Sequence, residues 1–270
     1  MKIDFHVHCN SDDPVLLKQL AASCEANETM AALAGGLRYG AADYCPNPTV
    51  LAICRQYPQT FLPMARFDLW ERVDPNDVRR FAEQGYKGLK FIYPWYEYDH
   101  DSYMPVYEAA AETGLPVLFH TGNFRPSEAD ARWKRPVLRN MAPVTLDRIA
   151  RSFPGLKIVM AHLGTSMWRH EAAELVKLHP NLYFDLAGCG SWLGLSAEEL
   201  QMRLRPELPL IDGTFSMFRK MVLGSDAYVT HPHLVGEAQT AYSLLIRKLG
   251  LPDDVARGIR GDTVAEWLFP

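Results

Sequence analysis

The 270-residue sequence contains no run of about 18 uninterrupted apolar residues, so it offers no transmembrane helix. It has no basic excess either: 28 Lys and Arg stand against 32 Asp and Glu, which gives no reason to expect nucleic acid or an anionic membrane as partner. The five cysteines form no Cys-x-x-Cys pair, and their odd number favours reduced thiols in a cytoplasmic protein. No long apolar stretch follows residues 1–4, so we expect no signal peptide.

The sequence instead shows a regular alternation of helix-like and strand-like segments. One unit is clearly delimited, because Asp74 is a good N-cap, Pro75 suits the first helical position and Gly85 suits a left-handed C-terminal residue. A strand over residues 86–92 follows this helix. The same order recurs along the chain, and it predicts the repeated unit of an α/β protein.

Eight candidate strands can be placed. The second, over residues 39–44, is a poor candidate, and residues 11–33 before it read as helical. Residues 117–119 and 157–160 are apolar on both faces, as parallel strands covered by helices are. With 48% hydrophobic residues and no linker, the sequence predicts a single (β/α)8 TIM barrel over residues 1–270. An open doubly wound sheet is the alternative, but residues 8–11 lack the Gly-rich turn that would favour it.

The first predicted strand has an unusual polar face. Residues 3–8 alternate apolar and polar with a period of two, which is typical of a strand with two different faces. The predicted faces are Ile3, Phe5 and Val7 on one side, and Asp4, His6 and His8 on the other. Two imidazoles on one face can reach a single metal ion, although a bare His-x-His pair is more often incidental.

Polar side chains recur in the other predicted strands, with His120, His162 and Asp226 at strand ends and Lys90 inside strand four. Each has an ordinary reading when taken singly: a capping or core histidine, an N-capping aspartate, a lysine at a rim. In a barrel, however, the carboxyl ends of all strands meet on one face. Four imidazoles and one carboxylate on that face together predict a metal site.

The order of these residues resembles the amidohydrolase superfamily. The motifs that carry the resemblance are His6-Val7-His8, Gly88-Leu89-Lys90, His120, His162, Phe184-Asp185-Leu186 and Gly224-Ser225-Asp226. The sequence is most similar to the amidohydrolase-related branch (amidohydrolase 2), which holds metal-dependent hydrolases, lactonases and non-oxidative decarboxylases. The resemblance covers essentially the whole chain. It is specific for the superfamily and says little about the substrate.

Neutral imidazoles and a carboxylate suit Zn²⁺, with Mn²⁺ as an alternative. We assign His6, His8, His120 and Asp226 to one metal ion. Asp226 is then expected to take the proton of an activated water and to deliver it to the leaving group. His162 is expected to polarise the scissile carbonyl or to shuttle protons. The resemblance implies the same roles.

A second metal ion is left open by the sequence. In binuclear relatives a carboxylated lysine of strand four bridges two ions, and Lys90 and His162 occupy the positions that would serve such a site here. Lysine carboxylation leaves no mark in a sequence. The alternative is a Lys90 that pairs only with a neighbouring carboxylate or with substrate.

The loops after the strands supply candidate substrate-binding residues. Trp95 and Tyr96 belong to an aromatic cluster after strand four, which could stack on a planar ring or simply pack over the barrel mouth. Arg125 follows His120 and suits a carboxylate or phosphate group, although basic runs usually form solvated faces or subunit contacts. Trp168 follows strand six and is a further candidate.

These observations predict a cytoplasmic metal-dependent hydrolase that opens a C–N amide or a cyclic ester (lactone) of a small molecule. The first alternative is a metal-dependent non-oxidative decarboxylase acting on an aromatic or unsaturated acid. The second is a metal-binding protein without turnover. No nucleic acid or membrane partner is expected, and the long loops of a barrel are compatible with a homodimer.

Overall fold

The computed structural model describes residues 1–35, 44–70, 73–123, 137–187, 196–204 and 216–270. Eight strands form one sheet in the order β7-β6-β5-β4-β3-β2-β1-β8, and every strand pair in it is parallel. The strands are β1 (Lys2–His8), β2 (Thr29–Ala34), β3 (Phe61–Arg66), β4 (Gly88–Phe91), β5 (Val117–His120), β6 (Ile158–Ala161), β7 (Leu182–Phe184) and β8 (Ala227–Tyr228).

The segment that leads into β8 closes this sheet into a barrel. Met221 bridges to Phe184 of β7 in parallel orientation, and the Val222 amide donates to the Phe184 carbonyl over 2.9 Å. On the other side, the Phe5 amide of β1 donates to the Leu223 carbonyl over 2.9 Å. The first and seventh strands are therefore joined through residues 221–223, and the predicted (β/α)8 TIM barrel is confirmed.

Helices follow the strands along the chain, as the alternation predicts. They are α1 (Pro14–Ala26), α2 (Asn47–Gln56), α3 (Pro75–Gln84), α4 (Met104–Thr113), α5 (Leu146–Ser152), α6 (Thr165–Leu178), α7 (Ala197–Arg203), α8 (His233–Leu249), α9 (Asp253–Arg257) and α10 (Thr263–Leu268). In α3 the Asp74 side chain accepts from the Asn76 amide, and Gly85 ends the helix at φ 94°. Both signals read from the sequence therefore act as expected.

The barrel interior is filled by side chains that several strands contribute. Phe5, Met64, Leu118 and Val159 are among the buried residues of this cluster, and Leu268 of α10 packs against them. The opposite faces of the strands pack against the surrounding helices. The barrel interior is filled by apolar side chains, and polar side chains lie at the carboxyl ends of the strands. A functional site is therefore expected at the carboxyl ends.

The second strand is not where the sequence predicted it. It lies at Thr29–Ala34, inside the stretch that read as helical, and the earlier candidate at 39–44 falls almost wholly outside the described residues. Residues 31–34 are three alanines and a leucine, whose intrinsic preference favours a helix. This segment nevertheless forms a strand, because it is buried and hydrogen-bonded between β1 and β3.

A β-bulge divides the first strand. Asp4 pairs with Ala31 while Val7 pairs with Leu33, so β1 uses three steps where β2 uses two. The predicted strict alternation is therefore wrong: Ile3 and Phe5 fill the barrel interior, whereas Val7 packs in the helix layer. The extra residue lets His6 and His8 share the inner side with the apolar residues below them.

The predicted bounds of the eighth strand are also wrong. The sequence placed Asp226 at the end of this strand, but the paired strand is Ala227–Tyr228 and Asp226 precedes it. Asp226 has φ 57°, a left-handed conformation that interrupts a strand. No helix among the described residues has the length and apolarity needed to cross a membrane.

Candidate metal centre

Three side chains predicted as ligands converge at the mouth of the barrel. Asp226 Oδ1 lies 2.9 Å from His8 Nε2 and 3.3 Å from His6 Nε2. His6 and His8 are buried and Asp226 is nearly so. One nitrogen or oxygen from each lies within 4.8 Å of the others, a spacing that suits a single cation.

The backbone at two strand ends takes an uncommon conformation to present these groups. His162 has φ 66° and Asp226 has φ 57°, and neither is a glycine. Left-handed backbone in such residues costs on the order of 1–3 kcal/mol each and persists only where the surroundings enforce it. The Asp226 amide donates to the His6 carbonyl over 2.8 Å, which fixes the turn that aims this carboxylate at the histidines.

Asp185, directly after β7, fixes the orientation of His6. Its Oδ2 lies 2.9 Å from His6 Nδ1, and its Oδ1 accepts from the amides of His162 and Ala187 over 2.7 Å and 3.0 Å. Because an ionised carboxylate only accepts, His6 Nδ1 carries the proton. His6 Nε2 therefore presents a lone pair toward Asp226, as a metal-ligating imidazole must.

A second hydrogen-bond chain fixes the tautomer of His120. His162 Nδ1 lies 2.6 Å from the Ala187 carbonyl, which can only accept, so this nitrogen carries the proton. His162 Nε2 then accepts from His120 Nδ1 over 3.1 Å. The remaining His120 Nε2 holds a lone pair and, among the described residues, is buried without a partner.

Lys90 lies in the fourth strand, and its side chain points toward the histidines. Its Nζ donates to His6 Nε2 over 2.8 Å, and the residue is buried. Burial lowers the pKa of Lys90 to about 8, against the opposing charges of Asp226 and Asp185. The lysine thus competes with a cation for the same nitrogen of His6.

Burial sets the charge state of the cluster. It lowers the pKa of His6 and of His120 well below the ordinary imidazole value, and it lowers that of His8 too. Burial alone would raise the pKa of Asp226, but the neighbouring His6 and the hydrogen bond from His8 outweigh it and hold that pKa below its usual range. Neutral imidazoles beside an ionised carboxylate are the forms in which these groups bind metal ions.

The residues present therefore fit a divalent cation. His6, His8 and Asp226 would hold it, and the unpartnered lone pair of His120 is the fourth donor of the predicted set. Nitrogen and oxygen donors in this ratio suit Zn²⁺ or Mn²⁺. A second grouping, His6 with His162 and Asp185, also has metal-like spacing. Both oxygens of Asp185 already accept N–H groups, so we interpret that carboxylate as a support for the histidines.

The predicted substrate-binding residues differ in burial and in the side chains that they contact. Trp95 forms an edge contact with Trp70, with ring centroids 4.9 Å apart, over the end of β4. Tyr96 is exposed and its ring stacks on His100 at 4.2 Å. Trp168 is half-buried near the start of α6. Arg125 lies outside the described residues.

Several residues at the site were missed by the sequence analysis. Tyr228 stacks on the His8 ring at 5.2 Å, and Tyr44 meets the same ring edge-on at 5.6 Å. Tyr93 was not missed, because it begins the aromatic cluster predicted after strand four; its ring centroid lies 6.2 Å from that of His120. Asp185 was noted only within a family motif, although it ends a strand as His120 and Asp226 were predicted to do, and that position could have identified it.

Gly224 allows Asp185 its close approach to the site. A Cβ at this position would lie 2.8 Å from Asp185 Oδ2 and 2.9 Å from its Cβ. We expect Gly224→Ala to displace the carboxylate from His6 and to weaken zinc binding by about 10–100-fold, the usual effect of losing a partner of a ligand. Calorimetric titration with Zn²⁺ would measure this. Gly155→Ala is the control, because its Cβ would meet no atom within 4 Å; unchanged affinity in Gly224→Ala would contradict the supporting role of Asp185.

Comparison with known proteins adds three findings. Residues 3–269 match the family model described as Amidohydrolase (Amidohydro_2). A dihydroorotase from Azotobacter vinelandii is 33% identical over 115 residues, which are 39% of this chain and 31% of that protein. The chain thus spans about a third of the length of such curated relatives.

Two solved structures share the fold over almost the full length. An uncharacterised TIM-barrel protein from Bordetella bronchiseptica has a TM-score of 0.71 at 17% identity and covers 99% of this chain and 98% of its own. A 5-carboxyvanillate decarboxylase from Sphingomonas paucimobilis has a TM-score of 0.63 at 16% identity, with coverage of 99% and 98%. At these identities the likeness extends to the fold alone.

Proposed function

The chain belongs to the Amidohydrolase family, and from that premise we propose that it is a metal-dependent hydrolase of a small molecule. The bond it opens is a C–N amide or a cyclic ester. The same metal-binding residues would serve either a hydrolase or a decarboxylase. What we propose is that the reaction is hydrolysis. We further propose that residues 1–270 act as one cytoplasmic domain.

One observation carries the metal-dependent part of the proposal. Asp226 Oδ1 faces the Nε2 atoms of His6 and His8 at 3.3 Å and 2.9 Å in a nearly dry cluster. One atom of each of these three side chains lies within reach of a single cation, and the cluster is almost closed to solvent. A bound Zn²⁺ would lower the pKa of water toward about 7 and polarise a carbonyl oxygen.

The chain's own residues supply the proton transfer. Both close contacts of Asp226 with imidazoles fall on Oδ1, which leaves Oδ2 as the oxygen that takes a proton from the attacking water. Asp226 is ionised at the start, as a group that accepts a proton must be, and it then returns this proton to the leaving nitrogen or oxygen. His162 keeps His120 oriented through its Nε2 contact, so its predicted role in polarising the carbonyl requires that this contact be exchanged for substrate.

Decarboxylation is the competing use of such a site. It needs no net uptake of water, and it needs a cation beside the carboxylate that leaves. Arg125, the predicted partner for that carboxylate, lies outside the described residues, and Lys90 is a cation that the described site offers.

Labelled water separates the two reactions. The zinc-loaded enzyme is incubated in H₂¹⁸O with panels of cyclic amides, lactones and aromatic or unsaturated carboxylates. We expect ¹⁸O in the organic product, because hydrolysis adds one oxygen from water. An unlabelled product that has lost CO₂ would make the enzyme a lyase instead. Protein that holds stoichiometric zinc and converts none of the panels would contradict both.

A further inference from the structure

Asp4 is a buried carboxylate at the site that neither the predicted ligand set nor the proposed proton transfer uses. It is 1% exposed. Its Oδ1 accepts two backbone N–H groups, from His6 over 3.2 Å and from Ser225 over 3.0 Å. One oxygen atom thus contacts the backbone of a predicted metal ligand on β1 and the residue directly before Asp226.

Both of these amides need an acceptor for a structural reason. The bulge in β1 falls between Asp4 and Val7, where the regular pairing with β2 is interrupted around His6. Ser225 precedes the left-handed Asp226, where the chain turns before β8 begins. A buried amide without a partner is unfavourable, so the Asp4 carboxylate stabilises two irregular segments at once.

Asp4 also completes a short ring of hydrogen bonds around the ligands. The Asp226 amide donates to the His6 carbonyl over 2.8 Å, and Asp4 joins His6 to Ser225 from the other side. The backbones that carry His6 and Asp226 are therefore tied at two points. This arrangement fixes how closely His6 Nε2 and Asp226 Oδ1 approach, which is 3.3 Å.

The carboxylate projects from the face of β1 opposite Ile3 and Phe5, which fill the barrel interior. Burial is the main cause that raises the pKa of Cys24 in α1 to about 12, and the negative charge of Asp4 is the second cause. Cys24 packs in the helix layer with Val7 and Leu20. Asp4 thus acts on the ligands through the backbone.

We propose that Asp4 is a positioning residue that sets the geometry of the His6 and Asp226 ligands through the amides of His6 and Ser225. The inference rests on the proposed metal site. On this proposal, the ligand geometry depends on the hydrogen-bond acceptor oxygen of Asp4 and does not depend on its negative charge. An asparagine can keep that oxygen and an alanine cannot.

The test compares Asp4→Ala, Asp4→Asn and Asp74→Ala with the wild-type chain. Asp74→Ala is the control for lost stability, because it removes the N-cap of α3, a helix that carries none of the predicted ligands. Zinc affinity is measured by competition with a chromophoric chelator. Exchange of the His6 and Ser225 amides with ²H₂O is followed by NMR on the metal-free chain.

We expect Asp4→Ala to weaken zinc binding about 10–100-fold, as the loss of ligand support does, and to speed exchange of both amides at least tenfold. Asp4→Asn should stay within about threefold of wild type in both measurements, and Asp74→Ala should leave both unchanged. Wild-type affinity in Asp4→Ala, or equal losses in both Asp4 variants, would overturn the inference. A wild-type chain that takes up no zinc would defeat the proposed function instead, and amide exchange would still decide whether Asp4 holds the two segments.

Discussion

Asp226→Asn should lower kcat by about 10²–10⁴-fold, the range expected when a general acid–base group is removed. The amide keeps the shape of the side chain and one oxygen toward His8, but it cannot take a proton from water. We expect KM to change much less than kcat, since substrate contacts remain. Steady-state kinetics on the zinc-loaded variant, normalised to measured metal content, would show this.

The matched control is Asp254→Asn. This exposed aspartate pairs with Arg219 over 2.7 Å, far from the barrel mouth, and its substitution should leave kcat unchanged. If Asp226→Asn with full metal content turns over at the wild-type rate, Asp226 does not transfer the proton. A loss of metal in Asp226→Asn, with activity restored by excess zinc, would restrict its role to binding the ion.

His120→Ala should abolish tight zinc binding, with affinity reduced by at least about 100-fold, the upper end of the effect seen for residues that only support ligands. The reason is the unpartnered lone pair of His120 Nε2, which is oriented by the hydrogen bond between its Nδ1 and His162. Activity should fall with metal content. Zinc stoichiometry after dialysis, measured by elemental analysis, is the direct readout.

His179→Ala is the control that matches its burial. His179 is also buried, but its Nε2 pairs with Asp147 between α5 and α6, away from the site. Both variants should lose stability, by about 1–3 kcal/mol for a buried hydrogen-bonding group, whereas only His120→Ala should lose zinc. Equal zinc content in the two variants would remove His120 from the ligand set.

The barrel and the gathering of the site could be predicted because both follow from local patterns. Doubly apolar strands such as residues 117–119 specify a parallel sheet, and a barrel brings its strand ends together whatever the loops do. His6, His8 and Asp226 therefore lie close together although His8 and Asp226 are 218 positions apart in the sequence. Their roles in catalysis stay predictions until the variants are measured.

The errors lie where tertiary contacts override local preference. The alanine-rich β2 has helical propensity, yet pairing with β1 and β3 makes it a strand. The bulge in β1 could not be predicted, because residues 3–8 alternate regularly between apolar and polar in the sequence. Nothing in that pattern indicates that one extra residue interrupts the pairing with β2. Tyr228 could not be ranked above other aromatic residues, because only the folded sheet shows that its ring stacks on His8.

The bulge in β1 has a consequence for how this strand can be altered. In a regular strand, three of the six residues 3–8 would face the interior, whereas here Ile3, Phe5, His6 and His8 all do. Deleting Phe5 would restore even spacing, but it would also remove the ring that meets Trp267 and the amide that donates to Leu223 where the barrel closes. The packing of the barrel floor and the placement of the two imidazoles are therefore linked through one extra residue of this strand.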